Sequence, residues 1–187
     1  MNLGFVVFAI GMCLITSSGK QNIVSMLNIL STTVSDKSIF CGTLFSTEAS
    51  KCKLDLGLVV DTTGSIQQQN VPILQAALRH LLQQFDVSAS ETHVAFMTFA
   101  EKSTLHNSFN DASYHNAEAI FRLINESIVL SRPTRLDLAL KAAKEEMFPA
   151  KNGLRPGVSK AMVLYTDGKT HKTCKKFYQD VVAMKVR

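Results

Sequence analysis

The sequence has no tryptophan and only four cysteines and five histidines in 187 residues. The histidines are scattered, and no cysteine has the spacing of a metal ligand, so a zinc site is not expected. No Ser/His/Asp or Cys/His set and no phosphate-binding glycine loop is present, which argues against an enzyme. Aromatic residues are not interleaved with basic ones, and no nucleic-acid-binding motif occurs, so nucleic acid is set aside as a partner.

Long hydrophobic runs are also scarce. The one exception is Leu3–Ile15, an uncharged apolar stretch followed by small polar residues and then Lys20. It is too short to span a bilayer comfortably and resembles a secretory signal. Residues 1–19 are therefore predicted to be a signal peptide, and the mature protein is predicted to be secreted, extracellular and without a membrane span.

Export would place the remaining cysteines in an environment that permits disulfides. Cys13 would leave with the signal, and three cysteines would remain in the mature chain, Cys41, Cys52 and Cys174. Cys41 and Cys52 would close a small loop if they paired, or Cys52 would need a partner that this chain lacks. Three cysteines cannot all pair internally, so one is free, pairs between molecules, or has lost its partner by truncation of the chain.

The net charge of +5 is unevenly distributed. Residues 151–187 contain nine lysines and arginines against two acidic residues, whereas the first 150 residues contain eleven against thirteen. Such a basic segment would suit an acidic polysaccharide or an acidic partner surface. A solvated helix face with a basic tail is the simpler interpretation of the same pattern.

The hydrophobic pattern divides the chain into a Ser/Thr-rich leader or linker at residues 20–53 and one globular domain at residues 54–187. Apolar runs alternate with segments of helical periodicity, which predicts an α/β fold. We expect a Rossmann-like open sheet, mostly parallel, with one antiparallel edge strand and helices on both faces. The predicted strands are Leu54–Val60, Thr92–Phe99, Thr104–Phe109 and Ala161–Thr166. The predicted helices are Ile66–Phe85, Ala112–Ile128, Leu136–Phe148 and Lys172–Met184. In the first of these, the helix proper is expected to begin near Val71.

Oxygen-bearing side chains follow two of these strands. Asp61, Thr63 and Ser65 come directly after the first buried strand, and Asp167 follows the strand Ala161–Thr166. If these strands are neighbours, both carboxylates face one crevice at the carboxyl ends of the strands, where open α/β sheets bind ligands. Thr134 lies in a loop that opens a helix and would add a third hydroxyl. Such hard oxygens suit a small cation such as Mg²⁺.

The three segments together resemble the von Willebrand factor type A domain. The motif after the first strand, the Thr134 loop ending in Ala-Leu and the strand ending in Thr-Asp-Gly occur in the family's order. The resemblance implies a metal-ion-dependent adhesion site. Its divalent cation, Mg²⁺ or in its place Mn²⁺ or Ca²⁺, would be held by five residues. These are Asp61, Thr63, Ser65, Thr134 and Asp167.

The resemblance further implies an extracellular adhesion or matrix module, not an enzyme, which binds an acidic residue of a protein ligand such as collagen or another matrix protein. Arg132 and Arg135 beside the site would attract such a ligand. The family's last strand and helix are missing from the sequence, so Ala161–Thr166 is expected to be an exposed, aggregation-prone edge. A truncated and inert domain is therefore one alternative.

The other alternative is an enzyme on a related α/β sheet, such as an aspartyl phosphatase. That chemistry requires a second carboxylate two residues after the first, where this chain has Thr63. A separate signal is the sequon Asn125-Glu126-Ser127, which makes Asn125 a candidate for N-glycosylation in an exported protein.

Overall fold

The computed structural model describes residues 53–167 with their side chains and the backbone of residues 6–11. These residues form one five-stranded sheet, with the strand order β1-β5-β2-β3-β4. The strands are β1 (Val6–Gly11), β2 (Leu54–Asp61), β3 (Thr92–Phe99), β4 (Ser103–Asn107) and β5 (Ser159–Thr166). Neighbouring strands are parallel except for the β3–β4 pair, which is antiparallel at one edge. The predicted fold class is confirmed.

Within residues 53–167, three α-helices cover the sheet, namely α1 (Val71–Leu82), α2 (Ala117–Ser127) and α3 (Leu136–Ala142). Helix α1 begins at Val71 and has a proline in its first turn, as predicted, because proline is compatible with the first helical positions. Helix α3 continues as a π-helical turn at Ala143–Met147. The predicted helix from Ala112 is instead a short 3₁₀ helix, Ala112–Tyr114, followed by α2, which the Asn116 side chain caps.

Two hydrophobic cores lie on opposite faces of the sheet. Alternate residues of β2 point to opposite faces, so Leu56 and Leu58 pack with α1 and α2, whereas Val59 packs with α3. Residues of β3 and β5 are divided between the cores in the same way. All eight residues of β2 and of β3 are buried, as expected for parallel strands covered on both faces.

The expectation that β5 is an exposed edge is wrong for this structure. β1 pairs in parallel with β5, from Val6 opposite Ala161 to Gly11 opposite Thr166. This strand lies within the apolar stretch that the sequence predicts to be a secretion signal. Among the residues with described coordinates, no helix has the length and apolar character needed to cross a bilayer. Cys13, Cys41, Cys52, Cys174 and the predicted helix Lys172–Met184 fall outside the described residues.

The amino ends of the strands are held together by a buried ion pair. The Asp55 side chain is fully buried and accepts hydrogen bonds from Nε of Arg155 at 2.7 Å and from its backbone N–H at 2.7 Å. The Arg155 guanidinium also donates to the backbone carbonyls of Leu54 and Glu91, at 2.9 and 2.7 Å. Arg155 therefore joins the start of β2 to the loops before β3 and β5.

Candidate metal centre

The candidate site lies at the opposite, carboxyl end of β2. Asp61 is the last residue of that strand and is fully buried. β2 pairs with β5 on one side and with β3 on the other, so the loops that follow these strands meet around Asp61. The predicted adjacency of β2 and β5 is confirmed. The crevice is therefore formed at the sheet edge where α/β proteins place ligands.

The motif residues after Asp61 turn back toward it. The backbone N–H of Thr63 donates to Oδ1 of Asp61 at 2.9 Å. The Thr63 and Ser65 hydroxyl oxygens lie 2.9 Å apart and share a hydrogen bond. Thr63 has an extended backbone and is the N-cap residue of a 3₁₀ helix at Gly64–Ile66, which contains Ser65. Three of the predicted ligands are thus linked by hydrogen bonds within one turn.

The end of β5 supplies the second side of the crevice. The Thr166 hydroxyl donates to Oδ2 of Asp61 at 2.8 Å, across the β2–β5 pair. Asp167 follows directly, and its charge contributes to the electrostatic environment of Asp61. The pKa of Asp61 is raised, mainly because the carboxylate is buried and also because the charge of Asp167 is nearby. Hydrogen bonds from Thr63 and Thr166 lower this pKa but do not cancel the shift. A positive charge would therefore favour the ionised form of the buried Asp61 carboxylate, which has the half-buried Asp167 nearby.

The loop that carries Thr134 is tied to the crevice at both ends. Ser131 forms a β-bridge with Thr63, since its N–H donates to the Thr62 carbonyl at 2.9 Å and its carbonyl accepts from the Gly64 N–H at 2.7 Å. At the other end, the Arg135 N–H donates to the carbonyl of Ala100, just after β3, at 2.9 Å. Thr134 is half-buried between these two attachments. The loop therefore lies at the same edge of the sheet as Asp61.

The two arginines of this loop differ in their partners. Arg135 forms a bidentate ion pair with Asp137, at 2.9 and 2.8 Å, which neutralises its charge locally. Arg132 is exposed and forms no ion pair with any residue in the described range 53–167. Its side chain lies over Gly64, where an added methyl group would come within 3.0 Å of Arg132 Nε. Arg132 is thus an exposed cation beside the motif turn.

The donor set suits a hard cation. Within residues 53–167 no group of three or more His, Cys, Asp or Glu side chains is arranged to hold a metal. The crevice instead combines two carboxylates, those of Asp61 and Asp167, with the hydroxyl pair of Thr63 and Ser65. All of these donors are oxygens, which is the preference of Mg²⁺, Mn²⁺ and Ca²⁺ and not that of copper or a structural zinc.

A comparison with known protein families agrees with this arrangement. The family model of the von Willebrand factor type A domain matches residues 55–186 of the sequence, which is more than half of the chain. The chain belongs to the von Willebrand factor type A family. The matched segment starts in β2 and includes Asp61, Thr134 and Asp167, so it contains every element of the candidate centre.

Among curated proteins, this chain is similar to matrilin-1 of Gallus gallus, with 24% identity over 63% of this chain and 23% of the relative. It is 28% identical to matrilin-3 of Mus musculus, over 65% of this chain and 26% of the relative. It is 29% identical to integrin alpha-1 of Gallus gallus, over 67% of this chain and 43% of the relative. In each case the match covers less than half of the relative.

Among solved structures, the fold matches that of proximal thread matrix protein 1 from the mussel byssus, described with zinc occupying its MIDAS motif. The TM-score is 0.63 at 18% identity, and the match covers 72% of this chain and 36% of that chain. A second crystal form of the same mussel protein gives a TM-score of 0.62 at 20% identity, with the same coverage. At these identities the likeness establishes the fold alone.

Two residues of the site escaped the sequence analysis. Thr166 binds Asp61 directly, and Ser131 fixes the Thr134 loop, yet neither was singled out. Thr166 could have been found because it ends a buried strand immediately before Asp167, whereas nothing in the sequence marks Ser131 as a bridging residue. The glycosylation candidate, Asn125, is exposed in the last turn of α2.

Proposed function

We propose that this domain is an extracellular adhesion or matrix module that binds a protein ligand through a divalent cation, with Mg²⁺ as the resident ion. One observation carries the proposal. The buried Asp61 carboxylate and the Thr63–Ser65 hydroxyl pair converge at the carboxyl end of β2, where Asp167 also acts electrostatically on Asp61. A bound cation would offset the repulsion and the burial cost there.

The proposed ligands of the ion are the five predicted residues, Asp61, Thr63, Ser65, Thr134 and Asp167. Few of these donors carry charge, so an ion held by them would retain affinity for a further carboxylate. The partner is accordingly proposed to present an acidic side chain. Arg132 supports this choice, because its guanidinium is exposed beside Gly64 and is not neutralised in the way that Asp137 neutralises Arg135.

The relatives support an extracellular setting. They include matrilins, a collagen alpha-5(VI) chain and an integrin, and the matched mussel protein is a thread matrix protein. We therefore infer that the domain is secreted, with residues 1–19 as the export signal, and that its ligand is collagen or another matrix protein. Acidic polysaccharide is a secondary candidate partner, through the basic residues after Lys151.

A binding role fits the crevice better than catalysis does. An aspartyl phosphatase needs a second carboxylate two residues after its nucleophile, and Thr63 holds that position with its hydroxyl engaged by Ser65 at 2.9 Å. The hydroxyl pair is suited to ligating an ion and not to accepting or donating the proton that such a reaction moves. No further observation favours a catalytic role.

The proposal is tested by calorimetric titration of the full chain with Mg²⁺. Wild type should give measurable binding heat, and Asp61→Asn should abolish it. This substitution keeps the shape of the side chain, and its amide oxygen still accepts from the Thr63 N–H, so the loop geometry is retained. Loss of heat would therefore report loss of the charged ligand.

Asp86→Asn is the matched control, because it removes the same charge from a half-buried residue at the opposite end of the sheet, just before β3. It should bind Mg²⁺ as wild type does. Equal heats from wild type and Asp61→Asn would rule out the assigned site. Absence of heat from a folded wild-type protein would favour the inert-domain alternative.

A further inference from the structure

The outer edge of β5 is occupied along the whole apolar part of that strand. β1 pairs with β5 in parallel at six consecutive positions, from Val6 opposite Ala161 to Gly11 opposite Thr166. On its other side, β5 pairs with β2 from Ser159 to Tyr165. β5 is therefore an interior strand of the sheet, and β1 is the outermost strand on that side among the described residues.

The residues of β5 require such a neighbour. Positions 161–166 are all buried, and their side chains enter both hydrophobic cores, with Val163 in one and Leu164 in the other. An unpaired strand of this kind would expose a row of backbone N–H and C=O groups beside apolar side chains, which is a template for aggregation. Pairing with β1 satisfies the backbone groups of β5 along this edge.

The sequence of β1 matches this position. Val-Val-Phe-Ala-Ile-Gly has no charged or polar side chain and three β-branched residues among six. Continuous apolar composition of that kind is typical of strands in parallel sheets that are covered on both faces, and β-branched residues favour extended backbone. The same composition also resembles the apolar part of a secretion signal, so composition alone does not separate the two roles.

We propose that the outer edge of β5 is a strand-binding site, and that its occupant in the intact chain is the segment Val6–Gly11, bound in parallel register. The kind of partner that the edge accepts is an extended apolar segment, recognised mainly through its backbone. In an intact chain, Val6–Gly11 is thus a structural strand of the domain. The export processing proposed above would remove residues 1–19 and open the edge, so the β1-paired form is that of the unprocessed chain.

The edge also borders the candidate metal centre. Gly11, the last residue of β1, lies opposite Thr166, whose hydroxyl donates to Asp61. β1 thus reaches the end of β5 at which Asp167 follows. β5 is thus held by β2 on one side and by β1 on the other near the candidate centre. The strand-binding site itself does not depend on metal binding.

Amide hydrogen exchange on the full-length chain tests the proposal without any substitution. In a parallel strand, successive residues direct their N–H groups to opposite neighbours, so β2 alone can protect only alternate amides of β5. We expect every amide from Met162 to Thr166 to be protected. Protection at alternate residues only, with rapid exchange between them, would show an open edge and overturn the proposal.

Two proline variants of the full chain sharpen the test. Ala9 and Ile10 are adjacent in β1, so one of them directs its N–H toward β5 and the other directs it away. Proline is tolerated at an edge strand only where the N–H faces solvent. One of Ala9→Pro and Ile10→Pro should therefore lower protection at the β1-facing amides of β5 by about 100-fold, and the other should leave most of it. Identical behaviour of both variants would contradict the pairing.

Discussion

Strand β2 carries one buried carboxylate at each end, and their surroundings differ in a way that separates structure from function. Asp55 and Asp61 are both fully buried, and their side chains lie on the same face of the strand, about 20 Å apart at about 3.3 Å per residue. Asp55 is paired with the Arg155 guanidinium at 2.7 Å. Asp61 is surrounded by a backbone N–H, hydroxyl groups and a second carboxylate.

The difference shows how the chain distributes its buried charge. At the amino end, the charge of Asp55 is matched inside the protein, and Arg155 in return ties two loops to the sheet. At the carboxyl end, burial and the nearby Asp167 raise the pKa of Asp61, and in the described range 53–167 no ion pair with Asp61 occurs. A buried carboxylate without a cationic partner is costly, so the carboxyl end is the one suited to an external cation.

The largest expected effect comes from breaking the amino-end pair. Asp55→Asn should lower the free energy of unfolding by roughly 3 kcal/mol, because it leaves Arg155 without its counter-charge in a largely buried position. Urea unfolding at pH 7 measures this. Mg²⁺ binding heat per folded molecule should be unchanged, since the metal centre lies at the other end of β2.

A double-mutant cycle provides the control for this prediction. On an Arg155→Met background, Asp55→Asn should cost much less than it costs in wild type, because the pair is already broken. Strict additivity of the two substitutions would show that Asp55 and Arg155 stabilise the fold independently and that the ion pair is not the reason.

Removing the charge at the carboxyl end should act in the opposite direction. Without metal at pH 7, Asp61→Asn should be at least as stable as wild type, because the raised pKa of Asp61 means that its ionised form is disfavoured in the folded state. Mg²⁺ at 100 times its dissociation constant should add about 2.7 kcal/mol to wild type and nothing to the variant. Thermal unfolding with Mg²⁺ and with a chelator measures both.

The pH dependence of this effect has a defined sign. Protons compete with the ion for Asp61, so Mg²⁺ stabilisation should be present above the raised pKa and should be lost as the pH falls through it. The loss should start at a higher pH than the ordinary aspartate value of 3.8 would give. A wild-type metal effect that persists unchanged below pH 3.8 would exclude Asp61 as a ligand.

Packing between the two carboxylates gives a smaller effect that does not depend on charge. Gly57 lies midway along β2, and a methyl group there would come within 2.5 Å of Phe148 Cζ and 2.7 Å of Met147 Sδ. Gly57→Ala should cost about 1–3 kcal/mol through overpacking, with no change in the pH or salt dependence of unfolding. Adding Phe148→Leu should recover part of the loss in urea unfolding, and no recovery would show that the methyl clash is not the cause.

The sequence predicted the fold because the apolar runs and helical periodicities are local patterns, whereas the ligand role of the candidate residues stays a prediction. The apolar runs of β2, β3 and β5 set the parallel sheet, and adjacency of β2 and β5 then placed Asp61 and Asp167 at one edge. The pairing of Asp55 with Arg155, one hundred residues apart, has no local signature. The same holds for the bridge between Thr63 and Ser131.

The edge of β5 shows a different limit of sequence reasoning. The apolar segment Val6–Gly11 satisfies the pattern of a secretion signal and that of a buried strand equally well. The choice depends on whether a neighbouring edge is open to it, and that is a property of the assembled sheet and not of the segment. For this reason the predicted open edge is wrong for the chain that retains Val6–Gly11, whereas the predicted strand behind it is right.

The smallest expected effect is a pH response of the amino end. His93 lies opposite Asp55 in the β2–β3 register and stacks on His115, with ring centroids 3.9 Å apart. Burial is the largest cause that lowers the pKa of His93, and the charges of Arg155 and His115 lower it further. A hydrogen bond to the Ala89 carbonyl and the charge of Asp55 raise this pKa but do not cancel the shift. Within the described residues, its buried Nδ1 atom has no hydrogen-bond partner, so a proton there would have no acceptor.

Because the folded-state pKa of His93 is below the ordinary value of 6.5, the unfolded chain binds the proton first as the pH falls. Stability should therefore be lost as the pH decreases from about 6.5 toward that lower value. His93→Gln keeps a donor for the Ala89 carbonyl and should flatten the dependence in urea unfolding between pH 7.5 and 5. Part of the slope should remain, since burial also lowers the pKa of His106. An unchanged slope would mean that acid sensitivity in this range does not arise at the amino end of the sheet.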